Sequence, residues 1–207
     1  MIYIVTAENR DLFQADLSAM HRHRKHTFVD TLGWHLPTRA DQEIDTYDGP
    51  HTIYLIARPH PTAAVAASAR LLPTTGSHLM GDLFPHICTD GAPRGDALWE
   101  ASRFCPAPPT PRRERLALLW QIFCGIMETA LLYDIERVIF TANHALRPLA
   151  LECGWRARAL GPTVADGSDS ITAIAVDIDR AGLRTLRQRF RIASPITRFV
   201  SPVRLAA

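Results

Sequence analysis

Residues 113–142 read RERLALLWQIFCGIMETALLYDIERVIFTA. Two periodicities meet inside this stretch. From Arg113 to Tyr133 the residues Leu116, Leu119, Trp120, Phe123, Met127 and Leu131 recur at steps of three and four, as one face of a helix does. From Val138 to Ala142 the run is short and apolar, which suits a buried strand. A helix leading into a buried strand is the repeating unit of α/β proteins. The flanks extend the pattern. Pro106–Pro111 breaks the chain ahead of the helix, and Ala97–Cys105 reads as a further strand. Upstream, Ile2–Thr6 reads as a strand and Arg10–Phe28 as a helix carrying Leu12, Leu17 and Met20. Residues 34–50 read as a long loop. Thr52–Arg58 and Ala63–Leu72 are β-like runs joined by Pro59-His60-Pro61, and Leu79–Phe84 is a helical turn. Downstream, Leu146–Cys153 is a helix ended by Gly154, and Trp155–Leu160 and Ser170–Asp179 are strands. This order predicts an α/β sandwich with a mixed sheet.

Composition excludes several classes. The 207 residues are 47% apolar and 21% charged, which argues against disorder. The apolar run Leu116–Met127 is interrupted by Gln121 and is too short to span a bilayer. The opening MIYIVTAENRDLF lacks the basic region and long apolar core of a signal peptide. Cys88, Cys105, Cys124 and Cys153 form no C-x-x-C pair, so reduced, buried thiols in a cytoplasmic protein are expected. The net charge of +2 is unevenly spread: residues 180–207 hold seven Arg and no acid, leaving 2 − 7 = −5 for residues 1–179. Arg180, Arg184, Arg187 and Arg191 make one stripe on a helix, with Leu183, Leu186 and Phe190 on an adjacent apolar face. Such a stripe is either a solvated face or a lure for an acidic partner.

One cluster stands out chemically. Trp99-Glu100-Ala101-Ser102-Arg103-Phe104 places ionisable groups in an apolar strand, with Trp99, Ala101 and Arg103 on one face and Glu100, Ser102 and Phe104 on the other. Buried charges need partners. Arg70 is similarly placed in a strand, Asp45 and Asp48 lie in the loop, and Arg24 ends the first helix. The three acids Asp45, Asp48 and Glu100 and the three arginines either form one compensated network or remain scattered surface charges. His21, His23 and His26 lack the i, i+4 spacing of a helical metal site and read as an exposed basic helix end.

The spacing Arg24…Phe28…Trp34…Asp45-x-x-Asp48…Arg70-Leu-Leu-Pro-Thr-Thr…Phe84…Trp99-Glu100-Ala-Ser-Arg103-Phe104 resembles that of the acyl-homoserine-lactone synthases, the autoinducer synthases of bacterial quorum sensing. The resemblance covers residues 1–179 and leaves 180–207 as a basic C-terminal helix and tail. It implies an N-acetyltransferase-like three-layer α/β sandwich with a mixed, mostly antiparallel sheet. It also implies an acyltransferase reaction. The amine of S-adenosylmethionine attacks an acyl thioester on acyl carrier protein or coenzyme A, and the methionine carboxylate then displaces methylthioadenosine to close the lactone. S-adenosylmethionine is a substrate here, so neither cofactor nor metal is expected, and nucleic acid and a membrane span are not expected either. The implied catalytic set is Glu100 as general base, with Arg24, Asp45, Asp48, Arg70 and Arg103. The implied S-adenosylmethionine site is Arg24, Phe28, Trp34, Asp45, Phe84, Arg103 and Phe104. The implied acyl pocket is Ser102, Phe123, Met127, Thr141 and Val176. Two rivals fit less of the pattern: an N-acyltransferase with another amine acceptor, and a non-enzymatic basic-tail module binding DNA or membrane.

Overall fold

A computed structural model describes residues 1–167 and 169–202. The elements in chain order are β1 (Ile2–Val5), α1 (Gln14–Arg24), β2 (Thr38–Arg39), β3 (Gln42–Glu43), β4 (Ile53–Ala57), β5 (Ala67–Pro73), α2 (Leu79–Asp82) and β6 (Leu98–Pro106). Then follow α3 (Arg112–Leu132), β7 (Arg137–Asn143), α4 (Leu146–Glu152), β8 (Arg156–Ala159), β9 (Val164–Asp166), β10 (Asp169–Asp177), α5 (Arg180–Phe190) and β11 (Thr197–Phe199). The chain forms two compact units. One holds Met1–Arg70, Arg103–Gly125 and the described part of Ile196–Ala207; the other holds Leu71–Ser102 and Ile126–Pro195. The α/β class and the mixed, mostly antiparallel sheet agree with expectation: β1–β11 and β6–β7 are parallel, while β1–β4, β7–β10, β8–β10 and β9–β10 are antiparallel.

In the first unit β1 and β4 are apolar on both faces and wholly buried, as inner strands are. A core of Tyr3, Val5, Phe13, Leu17, Met20, Tyr54 and Ile56 packs on them. Phe13, Leu17, Met20 and Arg24 follow one another at steps of four, three and four. The stripe that anchors α1 in the core therefore carries Arg24 inward as well, and its side chain is fully buried.

In the second unit β7 and β10 pair from Arg137↔Asp177 to Asn143↔Ile171, so cross-strand partners share a face. Ile139, Thr141 and Asn143 stand with Ala175, Ala173 and Ile171 on one face, where Met80, Ile87, Cys88 and Leu98 complete a buried cluster. Val138, Phe140 and Ala142 stand with Val176, Ile174 and Thr172 on the opposite face, beside Trp155. The β6–β7 ladder runs over Leu98↔Arg137, Trp99↔Val138 and Glu100↔Ile139.

Several sequence expectations need correction. Arg10–Phe28 is not one helix: a 3-10 turn (Arg10–Phe13) precedes α1 and a π-helical turn (Lys25–Thr31) follows it. The 34–50 loop contains the β2–β3 hairpin, and β5 begins at Ala67 rather than Ala63. Helix α3 is 21 residues, long and apolar enough by length and composition to cross a membrane, and so longer than its uninterrupted apolar run suggested. Its Ile122, Phe123, Cys124, Ile126, Met127 and Ala130 are nevertheless buried in protein. The expected boundary at 179/180 falls between β10 and α5. Helix α5 seats Gly182 and Leu186 in the second unit, and β11 is a strand of the first, pairing Ile2↔Thr197 and Ile4↔Phe199. Within the expected basic stripe, Arg187 is engaged with Glu128 at 2.7 Å, while Arg180, Arg184 and Arg191 are exposed. The end of the expected tail, residues 203–207, lies outside the described residues.

Candidate active site

Hairpin β2–β3 sets Glu43 opposite the end of α1. The His21 ring donates from Nδ1 to the Glu43 carbonyl at 2.9 Å, fixing the hairpin to the helix. Arg24 then bridges two acids, with Nε to Glu43 Oε2 at 2.5 Å and a bidentate fork to Asp48 at 2.8 and 2.9 Å. Arg70 forks onto Asp45 at 2.6 and 3.0 Å and reaches Asp48 Oδ1 at 2.9 Å. Arg103 closes the circuit, donating from Nη2 to Glu43 Oε1 at 3.0 Å and to Asp45 Oδ2 at 2.8 Å. Three cations thus meet three anions, and none of the six side chains is more than 7% exposed. Two local bonds shape the acidic loop: the Asp45 N–H donates to Asp48 Oδ2, and the Tyr47 N–H donates to Asp45 Oδ1, both at 2.9 Å. Tyr54 adds its hydroxyl to Asp48 Oδ1 at 3.0 Å.

The electrostatics follow the geometry. Burial alone would raise the Asp48 carboxyl, but the hydrogen bonds and charge of Arg24, with Arg70 behind it, hold it far below the usual carboxylate range. Glu43 is held low in the same way, first by Arg24 and then by Arg103. Arg24 is pushed up, because its bonds to Asp48 and Glu43 outweigh its burial. His21 is pushed down, by burial first and then by Arg24, and so stays neutral. Removing one member strands a buried charge, which typically costs about 3–5 kcal/mol.

Aromatic side chains border this network. Phe28 and Trp34 stack with ring centroids 5.0 Å apart and planes 12° off parallel, and the Arg103 guanidinium lies 5.5 Å from the Phe28 centroid. The turn explains the stack. Gly33 adopts φ +70°, and the Trp34 N–H donates back to the Phe28 carbonyl at 2.9 Å. This is a helix-terminating turn in which the residue after the left-handed glycine covers the last turn. Trp34 remains 46% exposed, so one indole face is open. Cys105 sits beside Thr27, and burial pushes its thiol up to about 11, which makes it inert as a nucleophile near neutrality.

In the second unit Glu100 is 1% exposed and accepts the Leu79 N–H at 2.7 Å and the Met80 N–H at 2.9 Å, one on each carboxylate oxygen. The expectation that Glu100 is the third acid of the arginine network is therefore corrected: Glu43 takes that place. Its signal was the pair Glu43-x-Asp45, two acids on one side of an extended segment. His21 was also misread, being buried rather than exposed. The expected two-face split of β6 does not hold. The burial alternation breaks between Glu100 and Ala101, which are both buried, and resumes through Arg103, itself at φ +55° and buried, while Ser102 and Phe104 are half-buried. Phe84 packs on the Met80–Ile87 cluster. The expected acyl set is divided as well. Met127 and Val176 are buried, with Val176 on the Phe140 face, whereas Thr141 lies on the opposite face and its buried Oγ1 has no hydrogen-bond partner among the described residues. Phe123 is buried edge-on to Phe104 at 6.0 Å and Trp120 at 5.7 Å.

Known proteins are similar to this chain in sequence and fold. The autoinducer synthase family profile matches residues 8–186. The isovaleryl-homoserine lactone synthase of Bradyrhizobium diazoefficiens is 32% identical over 197 residues, 94% of this chain and 87% of that protein. A coenzyme A-dependent acyl-homoserine lactone synthase, solved with S-adenosylmethionine and isopentyl-coenzyme A, superposes with a TM-score of 0.87 at 30% identity, covering 98% of this chain and 94% of that one. An acyl-coenzyme A N-acyltransferase from Pseudomonas aeruginosa gives a TM-score of 0.55 at 16% identity over 84% of this chain and 98% of its own, a likeness of fold.

Proposed function

This chain belongs to the autoinducer synthase family, and we infer that it makes an N-acyl-homoserine lactone from S-adenosylmethionine and an acyl thioester, releasing methylthioadenosine. The observation that carries the reading is the closed circuit of Arg24, Arg70 and Arg103 with Glu43, Asp45 and Asp48, bordered by the Phe28–Trp34 stack. That circuit offers a cationic amino acid both charge signs and aromatic faces, and aromatic faces attract cations.

Two bond exchanges complete the reaction. The α-amine attacks the thioester carbonyl; the N–C bond forms, the C–S bond breaks and the donor leaves as a thiolate. The amine proton passes to Glu100, directly or through a water. A carboxylate oxygen of the methionyl group then attacks its own γ-carbon. The O–C bond forms, the sulfonium C–S bond breaks, and methylthioadenosine departs as a neutral thioether. Both electrophiles arrive activated and the closure is intramolecular, so orientation supplies much of the acceleration and neither metal nor cofactor is called for. We assign Asp45 to the ammonium end and Phe28, Trp34, Phe84, Arg103 and Phe104 to the cosubstrate's surroundings. Arg24, Asp48 and Arg70 hold the circuit. Arg24 is fully engaged by Glu43 and Asp48, which favours this positioning role over direct carboxylate binding.

A coenzyme A donor is favoured over acyl carrier protein by the likeness to the coenzyme A-dependent synthase. A cytoplasmic location is supported by four free, buried cysteines. The test incubates the purified protein with S-adenosylmethionine and acyl thioesters on each carrier. Methylthioadenosine and lactone should appear in equal amounts, by chromatography and mass spectrometry. Release of neither from any donor overturns the reading.

A further inference from the structure

We propose that His78 is a positioning residue for the reaction: its buried ring ties down the turn whose amides hold the Glu100 carboxylate. This role rests on the lactone-synthase reading above and adds a residue that acts on the proton transfer through Glu100.

The amides come from the start of α2. The first N–H groups of a helix need an acceptor from outside it, commonly the side chain of the residue just ahead. His78 is that residue, and its side chain makes no such bond. Glu100 takes the place instead, accepting the Leu79 N–H on one oxygen and the Met80 N–H on the other. Those two bonds orient the carboxylate, so whatever fixes residues 79 and 80 also fixes the base.

The chain reaches Leu79 by a short strap from the end of β5, and both ends of the strap are fastened to β6. At one end Thr74 donates from its N–H and its Oγ1 to the Leu98 carbonyl, at 3.2 and 2.7 Å. At the other, Leu79 and Met80 meet Glu100. Between them Thr75, Gly76 and Ser77 are exposed, and the Gly76 carbonyl is where this turn is held. His78 donates to it from Nδ1 at 3.0 Å and Arg94 from Nη1 at 2.8 Å. The two donors are not equivalent. The Arg94 side chain is 47% exposed, so water competes for its bond, whereas His78 is 0% exposed. The His78 Nε2 is buried with no hydrogen-bond partner among the described residues. An apolar ring of the same shape would avoid that cost, so the tie through Nδ1 is what the imidazole contributes here. The fit is tight as well. A Cβ on Gly81 would lie 2.6 Å from the His78 Cε1, 2.9 Å from its Nε2 and 2.8 Å from the Arg94 Nη2. The exposed arginine can swing away from such an atom; a buried ring tied at Nδ1 cannot.

The experiment compares His78→Ala, His78→Asn and Gly81→Ala with the native enzyme, following methylthioadenosine release from S-adenosylmethionine with an acyl-coenzyme A. In His78→Ala kcat should fall at least ~10-fold, a part of the ~10² that misplacing a reacting group by about 1 Å can cost. Both KM values should stay within about twofold, because uniform substrate binding is left alone. Asparagine can donate from its amide to the Gly76 carbonyl as Nδ1 does, and should recover most of kcat. Gly81→Ala pushes on the ring with the imidazole still present, and should lower kcat in the same way even where His78→Ala does not fold. In a Glu100→Gln background His78→Ala should cost less than about twofold more, since residues acting as a unit are not additive. Amide exchange at Leu79 and Met80 should quicken in His78→Ala. Native kcat in folded His78→Ala or in Gly81→Ala overturns the proposal, and so does an Asn variant no better than Ala. A loss repeated undiminished in the Glu100→Gln background overturns it too, by marking a merely structural role. Absence of methylthioadenosine from the native enzyme with every donor overturns the lactone-synthase reading instead. Exchange at residues 79 and 80 still reports the tie in that case, so the two failures are distinct.

Discussion

Glu100 accepts one backbone N–H on each of its carboxylate oxygens, and this changes what a substitution there can be expected to do. Glutamine keeps the size but offers one carbonyl oxygen where two acceptors are needed, so its amide must confront an N–H donor. Glu100→Gln should therefore lose at least ~10² in turnover, the usual scale of general-base removal. It should also lower stability by about 1–3 kcal/mol, the cost of a buried donor left unsatisfied. Turnover and a thermal melt on one sample read both, and near-native turnover in the folded variant would discard the base assignment. The arginine network makes a second, pH-dependent prediction. Asp48 and His21 both have folded pKa values below their unfolded ones of about 3.9 and 6.5. The unfolded chain then binds more protons than the folded one, so stability rises with pH through each window. Urea unfolding should show stability falling as pH drops below about 6.5, and falling again below about 4. His21→Asn keeps a donor for the Glu43 carbonyl but cannot titrate, and should shallow the upper slope; an equal slope assigns it to other groups. At this scale, type and spacing left Arg24, Asp45, Asp48, Arg70 and Arg103 open between one network and scattered surface charges; the family resemblance grouped them, and the structure brings them together. Glu43 escaped because an acid in a polar loop looks solvated until the loop is folded onto a helix.

The turn after α1 shows how an element turns sequence into a binding surface. Leu17 and Met20 of the buried stripe along α1 are legible from the chain alone, whereas Leu12, expected beside them, is exposed and Phe13 is buried in its stead. The π-helical widening from Lys25 to Thr31 is not, since a local extra residue per turn leaves no trace in a helical apolar pattern. Gly33 is the legible clue: a glycine followed by an aromatic residue marks the helix end and the ring that folds back over it. A Cβ at Gly33 meets nothing within 4 Å, so Gly33→Ala tests the left-handed backbone alone. The strain is about 1–2 kcal/mol, and relieving it must move Trp34 away from Phe28. The KM for S-adenosylmethionine should rise several-fold with kcat nearly native, and Trp34→Ala should raise it further. If KM is unchanged in both, the stack is not part of the cosubstrate site. The phase shift in β6 is likewise hidden from sequence. Two adjacent buried residues, Glu100 and Ala101, break a period-two pattern that the rest of the strand obeys.

On the scale of the whole molecule, the uneven charge suggested a domain with a basic appendage, and α5 was legible as an amphipathic helix. Strand β11 was not, because three residues pairing with the opposite end of the chain have no local signature. The pairing is substantial for its size. Ile2 donates to the Ile196 carbonyl at 2.6 Å, three residue pairs run parallel, and Asn9 donates from Nδ2 to the Val200 carbonyl at 3.1 Å. All four residues of β1 are buried. A chain ending at Phe190 would leave β1 as a bare, apolar sheet edge, the kind that pairs with other molecules. It would also lose Arg191, Arg198 and Arg204, moving the net charge from +2 to 2 − 3 = −1. The full-length triple variant with Gln at those three positions carries the same charge and keeps the strand. If β11 is integral, the truncated chain should melt at least about 5 °C lower and aggregate, whereas the triple variant should melt near the native temperature. If the segment acted only through its charge, the two would shift together. Equal, native-like melting of the truncated chain would show that β1 does not need its parallel neighbour.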